Sequence, residues 1–109
     1  MAITYKNAKL ALTTSYATVY TCPAGTTAVV LDVTATNIHA TDAADAYLQW
    51  TDDSDADAVT RLANGFLVPN KSGQGLIGGP QVLEAGDTLQ AKASAVSALE
   101  LTVAISEIT

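Results

Sequence analysis

The chain carries a single cysteine, Cys22, in 109 residues, so no disulfide can form within it. A scaffold built without such cross-links suits a protein assembled in a reducing cytoplasm. Basic residues are also scarce. Lys6, Lys9, Arg61, Lys71 and Lys92 are scattered among eleven carboxylates, giving a formal net charge of −6 and a sequence pI near 4.3. Nucleic-acid binding needs several phosphates neutralised at once, and an anionic membrane needs a basic cluster, so neither is an expected partner. The acidity reads as a means of keeping the surface soluble. Long apolar runs are missing too. The longest, Ala28 to Leu31, is far too short to span a bilayer, and Met1-Ala-Ile-Thr-Tyr-Lys6 lacks the apolar stretch of a secretory signal. The expectation is a soluble protein that stays intracellular until released by another route.

Aromatics make up only 6% of the residues, and much of the 49% hydrophobic content is alanine. A chain of this size forms one domain, residues 1–109, and buries roughly two-thirds of its unfolded surface. Its core is thin for that length. Association with other subunits is therefore an expected source of stability.

What is present is β-structure. Val19-Tyr-Thr-Cys-Pro-Ala-Gly-Thr-Thr-Ala-Val-Val-Leu-Asp-Val-Thr-Ala-Thr-Asn37 reads as a short strand, a Pro-Ala-Gly turn and a long strand. Alternation places Val29, Leu31, Val33 and Ala35 on one face, with Asp32, Thr34 and Thr36 on the other. Eight to nine short strands are expected: 8–13, 17–21, 27–37, 46–51, 59–62, 66–68, 81–83, 88–94 and 99–108. Leu89, Ala91 and Ala93 should face inward, as should Leu99, Leu101, Val103 and Ile105. Asn64-Gly65 reads as a two-residue hairpin and Glu84-Ala-Gly-Asp87 as a turn with Gly86 at positive φ. Residues 41–48 fit a short helix capped by Thr41 or a loop; Tyr47 to Thr51 favours a loop with pairing from about Ala46. The fold class is all-β, an antiparallel β-sandwich of jelly-roll-like form.

Candidates for chemistry are few. Asp53, Asp55 and Asp57 alternate like the start of a calcium loop, but Ala58 and Asn64 occupy the positions where a glycine and a bidentate glutamate are required. A solvated hairpin tip is the preferred reading, and no metal or cofactor is expected. His39, the only histidine, sits near Asp42 and Asp45 in a loop without a nucleophile. Cys22, beside Pro23, has no neighbouring cation to activate it and reads as a partly buried filler. The loop Gly73-Gln-Gly-Leu-Ile-Gly-Gly-Pro80 lacks the lysine-serine pair and helix of a phosphate cradle, so a mobile or partner-ordered loop is expected. Trp50 and Phe66 are expected in the core. Tyr5, Tyr16 and Tyr20 are the interface candidates, because tyrosine joins apolar area to a polar tip.

Leu12-Thr-Thr-Ser-Tyr-Ala-Thr-Val-Tyr-Thr-Cys-Pro-Ala-Gly-Thr-Thr-Ala-Val-Val-Leu31 resembles small virion proteins of tailed bacteriophages and prophages. Arg61-Leu-Ala-Asn64, Leu83-Glu-Ala-Gly-Asp-Thr-Leu89 and the closing Glu107-Ile108 are similar to the same family, so the resemblance covers most of the chain. Cys22 stands where these proteins more often carry valine. The resemblance implies a non-enzymatic structural part of the virion. A capsid decoration (cement) protein that binds the shell exterior and stabilises it fits the small size best. Its partners would be the major capsid protein or other virion proteins, and its own copies as a dimer or trimer. A tail, neck/collar or fibre-associated protein is the alternative. More remote is a carbohydrate-binding module, which would need Tyr47 or Trp50 as an exposed aromatic platform.

Overall fold

A computed structural model describes all residues, Met1–Thr109. Nine strands follow in order: β1 (Ile3–Ala11), β2 (Ala17–Thr21), β3 (Thr27–Asn37), β4 (Ala44–Asp52), β5 (Ala58–Val68), β6 (Gly73–Gly75), β7 (Gln81–Leu83), β8 (Thr88–Ala93) and β9 (Leu99–Ile108). One 3-10 turn, Asp53–Asp55, joins β4 to β5. All pairings are antiparallel. Sheet A has the order β1-β9-β3-β6, with β7 also on β3, and sheet B the order β2-β8-β4-β5. Taking β6 and β7 as one interrupted strand, this is the double Greek-key order of a jelly roll, and the expected fold class stands.

Strand alternation builds the core. Leu89, Ala91 and Ala93 of β8 and Leu99, Leu101, Val103 and Ile105 of β9 are all buried, as the pattern required. The cluster holds 22 buried hydrophobic residues, with alanines at 28, 35, 44, 46, 63, 91, 93 and 98 lining much of the space between the sheets. No buried side-chain nitrogen or oxygen lacks a hydrogen-bond partner.

Four expectations need correction. The first concerns β3. Val33 and Ala35 face the core, but Val29 is half-buried and Leu31 is 45% exposed; Ala28 and Val30 are buried instead. The pairing with β9 shifts register between Val30 and Asp32, so Leu31 is an extra residue that reverses the alternation. The second is Asn64-Gly65, which is no hairpin. β5 runs straight through it, and Gly65, at φ +83°, is the bulge residue between the Ala46–Phe66 and Tyr47–Asn64 pairs. A glycine bulge of this kind and a primed turn both use a positive φ, so the dipeptide signals backbone conformation without dictating reversal. The reversal falls at the aspartate tip, where Ala56 and Asp57 adopt φ of 53° and 60° without help from glycine.

The third is Phe66, which is 44% exposed, because β5 is an edge strand that sends only Ala63 and Val68 into the core. The fourth is β1, which begins at Ile3 and not near Ala8; its first half is exposed on both faces, so the short Ile3–Lys6 alternation has no core behind it. The 41–48 region has no helix, and β4 starts at Ala44.

Candidate interaction surfaces

Asp87 is the most connected polar side chain, though 1% exposed. Its Oδ1 accepts the Asp53 N–H at 2.9 Å, and its Oδ2 accepts the Glu84 N–H at 2.9 Å and the Trp50 indole N–H at 3.2 Å. This ties the β7–β8 turn to the β4–β5 tip and turns Trp50 inward against the core, away from any exposed aromatic platform. In the same turn Gly86 has φ +90°, and its N–H donates to the Cys22 carbonyl at 2.9 Å. The sequence marks the turn but gives no sign that its aspartate would be buried.

The tip itself is solvent-facing. Asp53, Asp55 and Asp57 are exposed, and Asp52 caps the 3-10 turn by accepting from the Ser54 N–H at 3.2 Å. No group of three or more His, Cys, Asp or Glu side chains converges closely enough to hold a metal ion. His39 is used structurally, its Nδ1 accepting backbone N–H groups of Asp42 at 3.0 Å and Thr41 at 3.2 Å. Cys22 is 1% exposed, more deeply buried than expected, and desolvation pushes its thiol up. Part of the glycine-rich loop is strand β6, paired to Thr34–Thr36 of β3.

The three tyrosine candidates lie in different environments. Tyr20 is 8% exposed and reaches across the sandwich, its hydroxyl donating to Glu107, which also pairs with Lys6 at 3.3 Å. Tyr20 is thus a core clamp between the sheets, not a free surface. Burial, and then Glu107, push its phenol up. The Tyr20 hydrogen bond, and then Lys6, hold the Glu107 carboxyl below its ordinary value. Because Glu107 is lowered on folding, the stabilisation is present above the ordinary value of 4.5 and is lost as pH falls through the lowered one. Tyr20 is raised, so its contribution is present below its ordinary 10.0 and is lost as pH rises further. Tyr20→Phe is therefore expected to lower the urea midpoint at pH 7 and to flatten its decline as pH falls below 4.5. Equal acid limbs in variant and parent would contradict the clamp.

Tyr5, 73% exposed, stands on the outer face of sheet A. Register places it in one row with Ser106 of β9, Val29 of β3 and Val82 of β7, and Val82 is 51% exposed. The bulge residue Leu31 joins this row across a groove of about 170 Å³ lined by Tyr5, Asn7 and Ala104. Ala2 and Thr109 exchange both backbone hydrogen bonds, at 3.1 and 3.0 Å, which sets the phase of the β1–β9 ladder. Even-numbered residues of β1 therefore bond to β9. Ile3, Tyr5, Asn7, Lys9 and Ala11 turn their N–H and C=O groups toward the free edge. The β1–β9 register has no bulge, whereas the opposite edge strand of sheet B, β5, shifts register twice.

Tyr16 belongs to the outer face of sheet B. The Lys92 Nζ lies 4.9 Å from its ring centroid and 4.7 Å from that of Tyr47, and the Arg61 guanidinium carbon lies 5.4 Å from Tyr16. Gln49 accepts from Arg61 and donates to Gln90 at 2.6 Å, and Gln90 donates to Thr18 at 3.3 Å. Five cations scattered in sequence gave no hint that two of them would converge on one ring.

No protein-family model matches the chain, and no curated protein matches it in sequence. A solved structure of Bacillus endospore appendages, described as a novel family of disulfide-linked pili, is similar in fold. The match covers 97% of this chain and 84% of that one, with 8% identity and a TM-score of 0.57. The likeness is one of fold alone. It joins this chain to an all-β architecture also used by a structural appendage protein.

Proposed function

We propose that the chain is a non-enzymatic structural subunit used in many copies on the surface of a particle, as a capsid decoration protein of a tailed phage. In that role it is assembled in the bacterial cytoplasm, resides in the virion and binds the major capsid protein. The observation that supports this most is the outer face and edge of sheet A. Exposed Tyr5, Leu31 and Val82, with half-buried Val29 between them, lie beside nine residues of bulge-free edge strand. Natural sheets blunt such edges unless something covers them, and an exposed apolar patch marks an interaction site. The sequence resemblance supplies the particle, and the appendage-like fold agrees with a structural role.

A second reading, a subunit of a filamentous appendage, is favoured by the fold neighbour. Disulfide linkage of the neighbour's kind does not transfer readily, since Cys22 is buried and is the only cysteine of the 109 residues. A tail, neck or fibre position would use the same surface. Co-sedimentation of purified chain with phage particles stripped of it tests the decoration reading. Saturable binding is expected, with Tyr5→Asp and Val82→Asp each weakening it by at least about tenfold, or about 1.4 kcal/mol. Undiminished binding by both variants would overturn the assigned surface.

A further inference from the structure

We infer that the Tyr16–Tyr47–Arg61–Lys92 cluster on sheet B is a carboxylate-binding site, and that its occupant is the aspartate tip of a second copy of this chain. The inference deepens the multi-copy reading and rests on it, but uses the opposite sheet from the particle-facing one.

Arg61 and Lys92 are like charges gathered on one aromatic ring, and neither has a carboxylate partner. The ion pairs in the chain are Lys6–Glu107 and His39–Asp42, so none of the eleven carboxylates neutralises this pair. In a protein of net charge −6, two unpaired cations brought together mark a place where negative charge is missing. The site is also held in shape. Lys92 sits between the Tyr16 and Tyr47 rings, and Arg61 is oriented by the chain Gln49, Gln90 and Thr18. A guanidinium has five N–H donors in a planar fork, and the structure shows one nitrogen, Nη1, bonded within the chain. The remaining donors suit a carboxylate, with the Lys92 ammonium as a second point charge.

The matching group is on the same molecule but out of its own reach. Asp53 and Asp55 on the 3-10 turn and Asp57 just after it are exposed, and none forms an ion pair. Asp57, in the tip just before β5, lies four residues from Arg61, up to about 13 Å at 3.3 Å per residue. A second copy turned by a two-fold axis brings each tip onto the other's cluster. Such a contact is isologous and closes on itself as a dimer. It leaves the outer face of sheet A on both copies free.

Sedimentation equilibrium of the purified chain tests this. A dimer is expected at low salt, with its dissociation constant rising as salt is raised. Arg61→Glu with Lys92→Glu, and separately Asp55→Lys with Asp57→Lys, should each weaken self-association at least about tenfold. An equimolar mixture of the two doubly substituted chains should restore a heterodimer, which also shows that both are folded. Arg61→Gln with Lys92→Gln should weaken the dimer without reversing charge. Three results would overturn the inference: a parent chain monomeric at every concentration, charge-reversed chains that dimerise like the parent, or a mixture that fails to restore association while both variants keep the parent's circular dichroism. Binding of an aspartate-rich peptide by a monomeric parent would keep the carboxylate site and reject the second copy as its occupant. All of these leave the co-sedimentation result for sheet A untouched, so the two proposals fail separately.

Discussion

Asp87→Ala is expected to lower the unfolding free energy by about 3 kcal/mol or more, read from urea denaturation at neutral pH. Three donors depend on this one carboxyl group: the Asp53 and Glu84 amides and the Trp50 indole. Alanine removes all three acceptor contacts and leaves a void in a place that is 1% exposed. An unsatisfied buried donor costs about 1–3 kcal/mol, and the three donors here, all part-buried, are not additive. Asp87→Asn should fall between parent and alanine. Its single amide oxygen can serve one side of the site, while its NH₂ faces a donor on the other. Trp50 fluorescence should shift to longer wavelength in Asp87→Ala, because the indole loses the bond that fixes it. A loss below about 1 kcal/mol, the worth of one ordinary hydrogen bond, would mean that Asp87 does not tie the turn to the tip.

Gly86→Val is expected to cost a similar amount, about 3 kcal/mol, through strain at the neighbouring residue. At φ +90° a β-branched residue is in a region that it avoids, and a Cβ there would lie 2.7 Å from the Asp53 Cγ and 3.0 Å from its Cβ. Asp53 has little room to retreat, because its own N–H is held by Asp87. Gly25 provides the control. Its φ is +70°, but nothing lies within 4 Å of the position a Cβ would take. Gly25→Val should therefore cost only the backbone term, about 1–2 kcal/mol. The ordering Gly86 above Gly25 is the expected result in melting temperature. Equal losses would show that the Asp53 contact is relieved at no cost.

These sites show what the sequence made legible and what it did not. Period-two alternation identified β8 and β9 and their buried residues, because both run through the middle of a sheet with one face on the core. The same rule failed in β3, where Leu31 is an added residue and alternation changes phase around it. It failed again at the start of β1, an edge strand whose residues owe their conformation to β9 and not to burial. Glycine signalled positive φ correctly at 25, 65 and 86, yet only two of those mark chain reversals. Of the tyrosines named as interface candidates, Tyr5 is the one that stands exposed. Tyr20 was not readable as a clamp, because its partner Glu107 is 87 residues away and meets it only when the sheets stack. The convergence of Arg61 and Lys92 on Tyr16 depends on three strands and a loop, and no local spacing encodes it.

Quantitative mass spectrometry of purified phage particles containing this chain, giving its copies per major capsid protein, tests the structural-subunit account most directly. A decoration role predicts copies on the order of hundreds per particle, tracking the capsid lattice that repeats its site. A dozen or fewer per particle would contradict it.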